Sequence, residues 1–385
     1  MEPETYAPTP FGEARRTRGR HGYLAYFPAP IPRALVLPAS TVRLLAEAEG
    51  ALGRLAGVGR LVQNPDLLIR PYLLREALSS TRIEGTRADM ADVFETDAGS
   101  EAPNADVEEV VNYVAAMRWG LDRLEKFPLS TRLLCEMHAR LMDGVRGREL
   151  TPGELRASQN WIGAPGSTIK TAQFVPPPPA ELPVLLADWE RFAHEEPEVP
   201  LLVQNALLHS QFETIHPFLD GNGRLGRLLL VFFLIARGRL GAPLLYLSAY
   251  LERNRQRYYE ALQTIHETGD PIPWIDLFLA AVQSQADDAV QRSQRIIDVR
   301  EDYLRAAVTL GTPNALALVE LICENPVVTT RSIESRLDVS RPTALRLLKR
   351  MEEQGVLSEA DSGARGQRRY VARAMMEAVA GGDRE

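Results

Sequence analysis

The sequence predicts a mainly α protein: an N-terminal helical region, a helical core carrying one small β-hairpin flap, and a C-terminal winged helix-turn-helix. Three observations carry this. Apolar residues recur at helical spacing through most of the 385 residues. Short apolar runs flanking a Gly/Pro/Ser turn, the pattern of a hairpin, occur at 159–175. The last third compresses into three short helical patterns followed by two apolar ends around "SEADSGARGQRR", which is the layout of a winged helix. A chain of this length exceeds one ordinary core, and the composition shifts divide it into 1–104, 105–305 and 306–385.

Composition narrows the class. Apolar residues at 45% and charged residues at 25% match a globular protein. The run "LLLVFFLIA" at 228–236 is too short to span a bilayer and is closed by Arg237, so it reads as a buried helix and no membrane partner is expected. The acidic, proline-bearing N-terminus lacks the pattern of a secretory leader, and the two cysteines, Cys135 and Cys323, fall in different domains; both point to a reducing cytoplasm. The net charge of −7 gives no bulk attraction for nucleic acid, so any such contact needs a local patch.

The proline-rich residues 1–38 read as an extended surface wrap. A helix follows from Ala39, with Ser40 or Thr41 as cap, and another from Asn64-Pro65 to a stop at Gly85. After the turn-rich "ETDAGSEAPNAD" come helices over "VEEVVNYVAAMRWGLDRL" and "STRLLCEMHARLMDGV", the second capped by Ser130. Trp161, Ile162, Ile169, Phe174 and Val175 outline the hairpin, and the prolines at 176–179 end it. Further helices are expected at about 201–215, 225–237, 251–267 and 273–305. Those of the C-terminal module fall at about 314–324, 330–337 and 341–354.

The stretch "HPFLDGNGRLGR", 216–227, concentrates chemistry. Pro217 disfavours helix at His216, so one helix ends there. Asp220-Gly-Asn-Gly forms a flexible loop, and a second helix starts near Gly223 or Arg224. Free N–H groups at a helix start, with Arg224 and Arg227 beside them, make an anion site suited to a phosphate chain. Asp220 is placed to hold Mg²⁺ bridging phosphate oxygens, and His216 is the neutral-pH base nearby. "DGNG" alone is also a common turn. His209, Glu213 and His216 share a helix face that suits zinc, but the spacing matches no metalloprotease pattern. No P-loop lysine follows the glycines.

The stretch resembles the signature of the Fic family, His-x-Phe-x-Asp/Glu-Gly-Asn-Gly/Lys-Arg-x-x-Arg. His216, Phe218, Asp220, Gly221, Asn222, Gly223, Arg224 and Arg227 meet its defined positions. The resemblance implies a Fic-type helical core that transfers AMP from Mg-ATP to a Tyr, Thr or Ser hydroxyl of a protein, releasing pyrophosphate. His216 would be the base and Asp220 the Mg²⁺ ligand. Gly221 to Gly223 would cradle the α- and β-phosphates, Arg224 and Arg227 would meet the β/γ end, and Phe218 would anchor the loop. Gly223 stands where phosphorylating members carry Lys, which favours AMP transfer. By the same resemblance, Ser80, Glu84 and Gly85 in "SSTRIEG" match an inhibitory helix whose glutamate pairs with Arg227. The hairpin, Ser167, Thr168, Ile169 and Lys170 included, resembles a target-docking flap that aligns an extended substrate segment.

The C-terminal module holds eight basic against four acidic residues between 341 and 373, enough for phosphate contacts, yet 312–385 as a whole balances at eleven each. DNA and protein both suit it as partners. Expected partners of the whole chain are a protein substrate, the chain itself among them, a second copy as a homodimer, and DNA. Two further readings stay open: a DNA-binding regulator whose core senses nucleotide, and an enzyme that removes AMP, with Glu84 positioning water.

Overall fold

A computed structural model describes residues 6–17, 22–61, 66–97, 104–164, 166–360 and 368–380. The first strands, β1 (Gly12–Arg16) and β2 (Leu24–Pro28), pair antiparallel, Gly12 opposite Pro28 and Arg16 opposite Leu24. Residues expected to wrap a surface as a single extended chain therefore fold back on themselves. Helices α1 (Ala39–Leu61), α2 (Asp66–Ile83) and α3 (Met90–Asp97) follow. The Asn64-Pro65 start and the tip of the expected wing, Arg365 included, lie outside the described residues. The sequence pattern gave no sign of α3, whose eight residues are too few for a clear period.

The core begins with α4 (Ala105–Leu124), where the Asn104 side chain accepts from Val107 N–H at 2.9 Å, and α5 (Thr131–Leu141), where Ser130 does the same for Leu133. In place of paired strands, the described residues of 159–175 form one bridge, Ile162 opposite Phe174. At the tip, Thr171 and Ala172 N–H both turn back onto Thr168 O, so Thr168 to Thr171 form a tight turn and not an open strand edge. Tyr26 N–H of β2 donates to Val175 O at 2.9 Å, which sets the N-terminal hairpin against the base of the flap.

Helices α6 (Leu182–His194), α7 (Leu201–Ile215) and α8 (Asn222–Ala236) complete the centre. Both α7 and α8 are buried nearly all round, which is why neither shows a clean polar face in the sequence. The helix expected at 251–267 is broken at Asn254 into α9 (Ser248–Arg253) and α10 (Arg255–Thr268). The long α11 (Ile272–Thr309) packs along α1 and leads into the C-terminal module.

That module contains α12 (Pro313–Glu324), β3 (Val327–Thr329), α13 (Thr330–Leu337), α14 (Arg341–Glu353), β4 (Ser358–Ala360), β5 (Arg369–Val371) and α15 (Arg373–Ala380), with sheet order β3-β5-β4. It is a winged helix-turn-helix with one helix, α15, beyond the expected plan. Asn325 Nδ2 donates to Phe94 O of α3 at 3.1 Å, and Arg292 of α11 donates to Val379 O at 2.8 Å, so the module is seated on α3 and α11.

Candidate active site

The α7–loop–α8 unit is braced from beneath. His216 ends α7 in the left-handed region (φ 48, ψ 61), its N–H still bonded to Phe212 O at 2.9 Å, and Pro217 prevents another turn. Asn222 closes the loop: its Oδ1 accepts from Phe218 N–H at 2.9 Å and its Nδ2 donates to Phe218 O at 2.8 Å. The Phe218 ring is buried and stacks on His138 at 3.9 Å between centroids. His138 Nδ1 accepts from Gly153 N–H at 2.8 Å, so its proton sits on Nε2, which donates to Asp220 O at 2.9 Å. Burial pushes His138 down to about 4, in keeping with this neutral form. Gly221 (φ 76) meets the same wall; a Cβ there would lie 2.8 Å from Met142 Sδ.

Above this brace, the first N–H groups of α8 have no carbonyl one turn back and face the loop and cavity. The cavity measures about 590 Å³ and is bounded by the loop, Ile162, Gly163 and Phe174 of the flap, and Tyr258 and Tyr259 of α10. Asp220 opens towards it, its side chain 41% exposed, with Oδ1 accepting from Gly221 N–H at 2.6 Å. Ser167 to Lys170 are not among the residues bounding the cavity.

Both arginines are buried and held. Arg224 donates to Glu109 Oε2 of α4 at 3.2 Å and lies 3.7 Å from Asp220. Arg227 Nε donates to Ser80 Oγ at 2.9 Å, and its Nη2 donates to Ser80 O at 2.8 Å and Glu84 Oε1 at 2.7 Å. Glu84 follows the last turn of α2, which Gly85 (φ 102) terminates. Its carboxylate fills the space over the start of α8: a Cβ on Gly223 would clash with Glu84 Oε1. Burial acts to raise the Glu84 carboxyl, but Arg227, with Arg224, outweighs it and holds the group below its ordinary range.

His216 is half-buried on the cavity wall. With Nδ1 directed at Glu213 O at 3.3 Å, the ring carries its proton there and keeps the Nε2 lone pair free. Burial pushes it down to about 4, and Arg156 beneath adds to this against Glu84 and Asp220, so the imidazole is neutral at physiological pH.

Residues 42–122 match the Fic/DOC family N-terminal domain, residues 128–234 match the Fic/DOC family domain, and residues 312–358 match a winged helix-turn-helix DNA-binding domain. The chain thus carries both domains of the Fic/DOC family. Among relatives, a protein adenylyltransferase Fic of Drosophila yakuba is 29% identical over 249 residues, 61% of this chain and 47% of that protein. A probable protein adenylyltransferase of Aquifex aeolicus is 36% identical over 96 residues, 25% of this chain and 28% of that one. The chain thus spans about half the length of the Drosophila relatives it matches. In fold it is similar to a Fic family protein from Desulfovibrio desulfuricans, with a TM-score of 0.58 and 22% identity over 88% of this chain and 97% of that one.

The Fic/DOC motif residues come together as one wall of the cavity, apart from Phe218, which points into the core. Sequence reading missed His138, Glu109, Arg156 and the Tyr258–Tyr259 pair. Only the adjacent tyrosines left a local signal, as aromatics beside an arginine on an amphipathic helix.

Glu213 supplies a test of this electrostatic description. Burial pushes its carboxyl from 4.5 up to about 7, with Arg227 opposing and Glu84 adding, and its Oε1 has no hydrogen-bond partner among the described residues. His209, 4.0 Å away, gives no ion pair, because burial pushes it down to about 3. A folded-state value above the unfolded one means stability that is present below the unfolded pKa and lost as pH rises through the folded pKa. Glu213→Gln lacks that loss. Its stability relative to wild type should therefore rise between about pH 5 and 8, by about 1–3 kcal/mol in urea unfolding; a difference independent of pH would contradict the assignment.

Proposed function

We propose that this Fic/DOC protein is an autoinhibited protein adenylyltransferase that moves AMP from ATP to a side-chain hydroxyl of a protein. The observation that carries the reading is the 2.7 Å contact between Glu84 and Arg227 at the start of α8, beside a neutral His216 with a free Nε2. The names of the relatives support the activity class.

In this reading the triphosphate lies along the α8 start. His216 Nε2 accepts the proton of the target hydroxyl, its oxygen bonds to the α-phosphorus, and the bond from that phosphorus to the β-bridging oxygen breaks, releasing pyrophosphate. The N–H groups of 222–224 with Arg224 and Arg227 meet the charge that gathers on the departing end. Tyr259, on the cavity edge and exposed, offers aromatic surface for the base. Asp220 fits Mg²⁺: it is a hard oxygen donor open to the cavity, and the ion would neutralise phosphate charge when bound. While Glu84 occupies Arg227, the place of the γ-phosphate is taken and the α-phosphate lies out of line.

The experiment incubates wild type and Glu84→Gly with Mg²⁺, a cell extract, and ATP labelled at the α- or the γ-phosphate. Label on protein from the α position only is the expected result. Label from γ would mean phosphorylation, and no label from either would remove the proposal. Loss of AMP from a modified protein, abolished by Glu84→Gly, would favour the reverse activity.

For the C-terminal module the proposed partner is DNA. Arg341, Arg346 and Lys349 of α14 face outward, whereas Arg369 turns to an ion pair with Glu95 of α3. Binding to duplex DNA should weaken with salt, and Arg346→Ala and Lys349→Ala should each reduce the slope of log K on log salt by about 1 in fluorescence anisotropy. Slopes equal to that of wild type would exclude α14 as the contact.

A further inference from the structure

Arg156 lies between α5 and the flap and is 2% exposed, yet among the described residues it has no carboxylate partner. Its Nε donates to His216 O at 2.8 Å, and its Nη2 donates to Ile215 O at 3.2 Å and to Pro177 O at 2.6 Å. Its own N–H donates to Pro217 O at 2.9 Å. Burial pulls the guanidinium down to about 10, which still leaves it charged at neutral pH, and Nη1 is buried without a partner.

A buried cation held only by carbonyls is costly. Its position offers a reason. Ile215 and His216 are the last carbonyls of α7, at the negative end of the helix dipole, where a cation is favoured and where the carbonyls lack partners within the helix. His216 has a positive φ, a conformation that a histidine adopts only when its surroundings impose it. Arg156 supplies that constraint from below and ties it to Pro177, at the end of the flap.

We infer that Arg156 is a positioning residue for the transfer reaction: its fork holds the end of α7 so that the His216 imidazole projects into the cavity in one orientation. The catalytic part of this inference rests on the function proposed above; the structural part does not. The guanidinium also acts on the imidazole through charge. Glu84 from α2 and Asp220 from the loop favour the protonated ring, Arg156 disfavours it, and Glu213, Arg224 and Arg227 stand around the same cavity. Removing Arg156 tips this balance towards the protonated form, which cannot take a proton.

The test uses the whole 385-residue chain and two readouts. Histidine NMR follows the titration of His216, identified by the resonance missing in His216→Asn. Steady-state AMP transfer is measured in the Glu84→Gly background. Arg156→Gln is expected to lower kcat about 10²-fold with KM for ATP unchanged, and to move both the His216 titration and the acid limb of kcat/KM to higher pH. Arg156→Lys keeps the charge without the fork; it should keep the titration and recover only part of kcat. A folded Arg156→Gln with unchanged kcat and unchanged titration would overturn the inference. Should Arg156→Gln fail to fold by circular dichroism, a folded Arg156→Lys with full kcat would overturn it equally. Absence of transfer in Glu84→Gly itself would count against the proposed activity, and the His216 titration would still decide the role of Arg156.

Discussion

Glu84→Gly should raise AMP incorporation by about 10²-fold or more over wild type at saturating ATP. The size follows from what the carboxylate occupies. Arg227 is buried and cannot lose its proton, so in the proposed function its charge is met either by Glu84 or by a phosphate, beside its two bonds to Ser80. On the proposed function, with Glu84 in place a triphosphate would meet a neutralised arginine and a blocked α8 start, and its reacting phosphorus would sit away from the line of attack. Removing the side chain opens both at once. The fold should survive, because Arg227 keeps two bonds to Ser80 and because Glu84, 34% exposed, is partly screened by solvent. The check is initial rate against ATP concentration for both proteins, with unfolding midpoints measured alongside. Equal rates in two folded proteins would rule out the brake.

What was legible in the sequence is what depends on neighbours along the chain. Pro217 announces the end of α7, Ser130 announces a helix start, and the loop that faces the cavity is one contiguous run. The three helices and apolar ends of the C-terminal module were readable for the same reason, since each element has its own punctuation. Contacts between distant segments were not. His138 must meet Asp220 and Phe218 across some eighty positions, and Glu109 must meet Arg224 across 115. Nothing in the local pattern of α4 or α5 marks one side chain as the support of a loop elsewhere. The N-terminal hairpin escaped notice because its strands have only five residues each, and one of them ends in the proline that suggested an extended wrap. In the flap the apolar residues flanking a Gly/Pro/Ser turn predict paired strands, whereas Thr168 and Thr171 bond each other and curl the tip.

Replacing His216 in the Glu84→Gly protein should abolish the gain, with a fall of about 10²–10⁴-fold in kcat and little change in ATP binding. The choice of replacement matters because of the backbone. At φ 48 an alanine would be strained, and a loss of activity could then reflect a shifted loop. Asparagine tolerates this region, so His216→Asn keeps the end of α7 while removing the basic nitrogen. Phe218, Asn222 and His138 do not depend on the imidazole for their bonds, and the start of α8 should remain as it is. ATP affinity by isothermal titration and AMP transfer by α-label therefore separate binding from chemistry. Retained affinity with lost transfer fits a proton acceptor at Nε2. Full transfer by His216→Asn would mean that the hydroxyl gives its proton elsewhere, with Glu213, pushed up to about 7 on the same helix, as the first group to replace next.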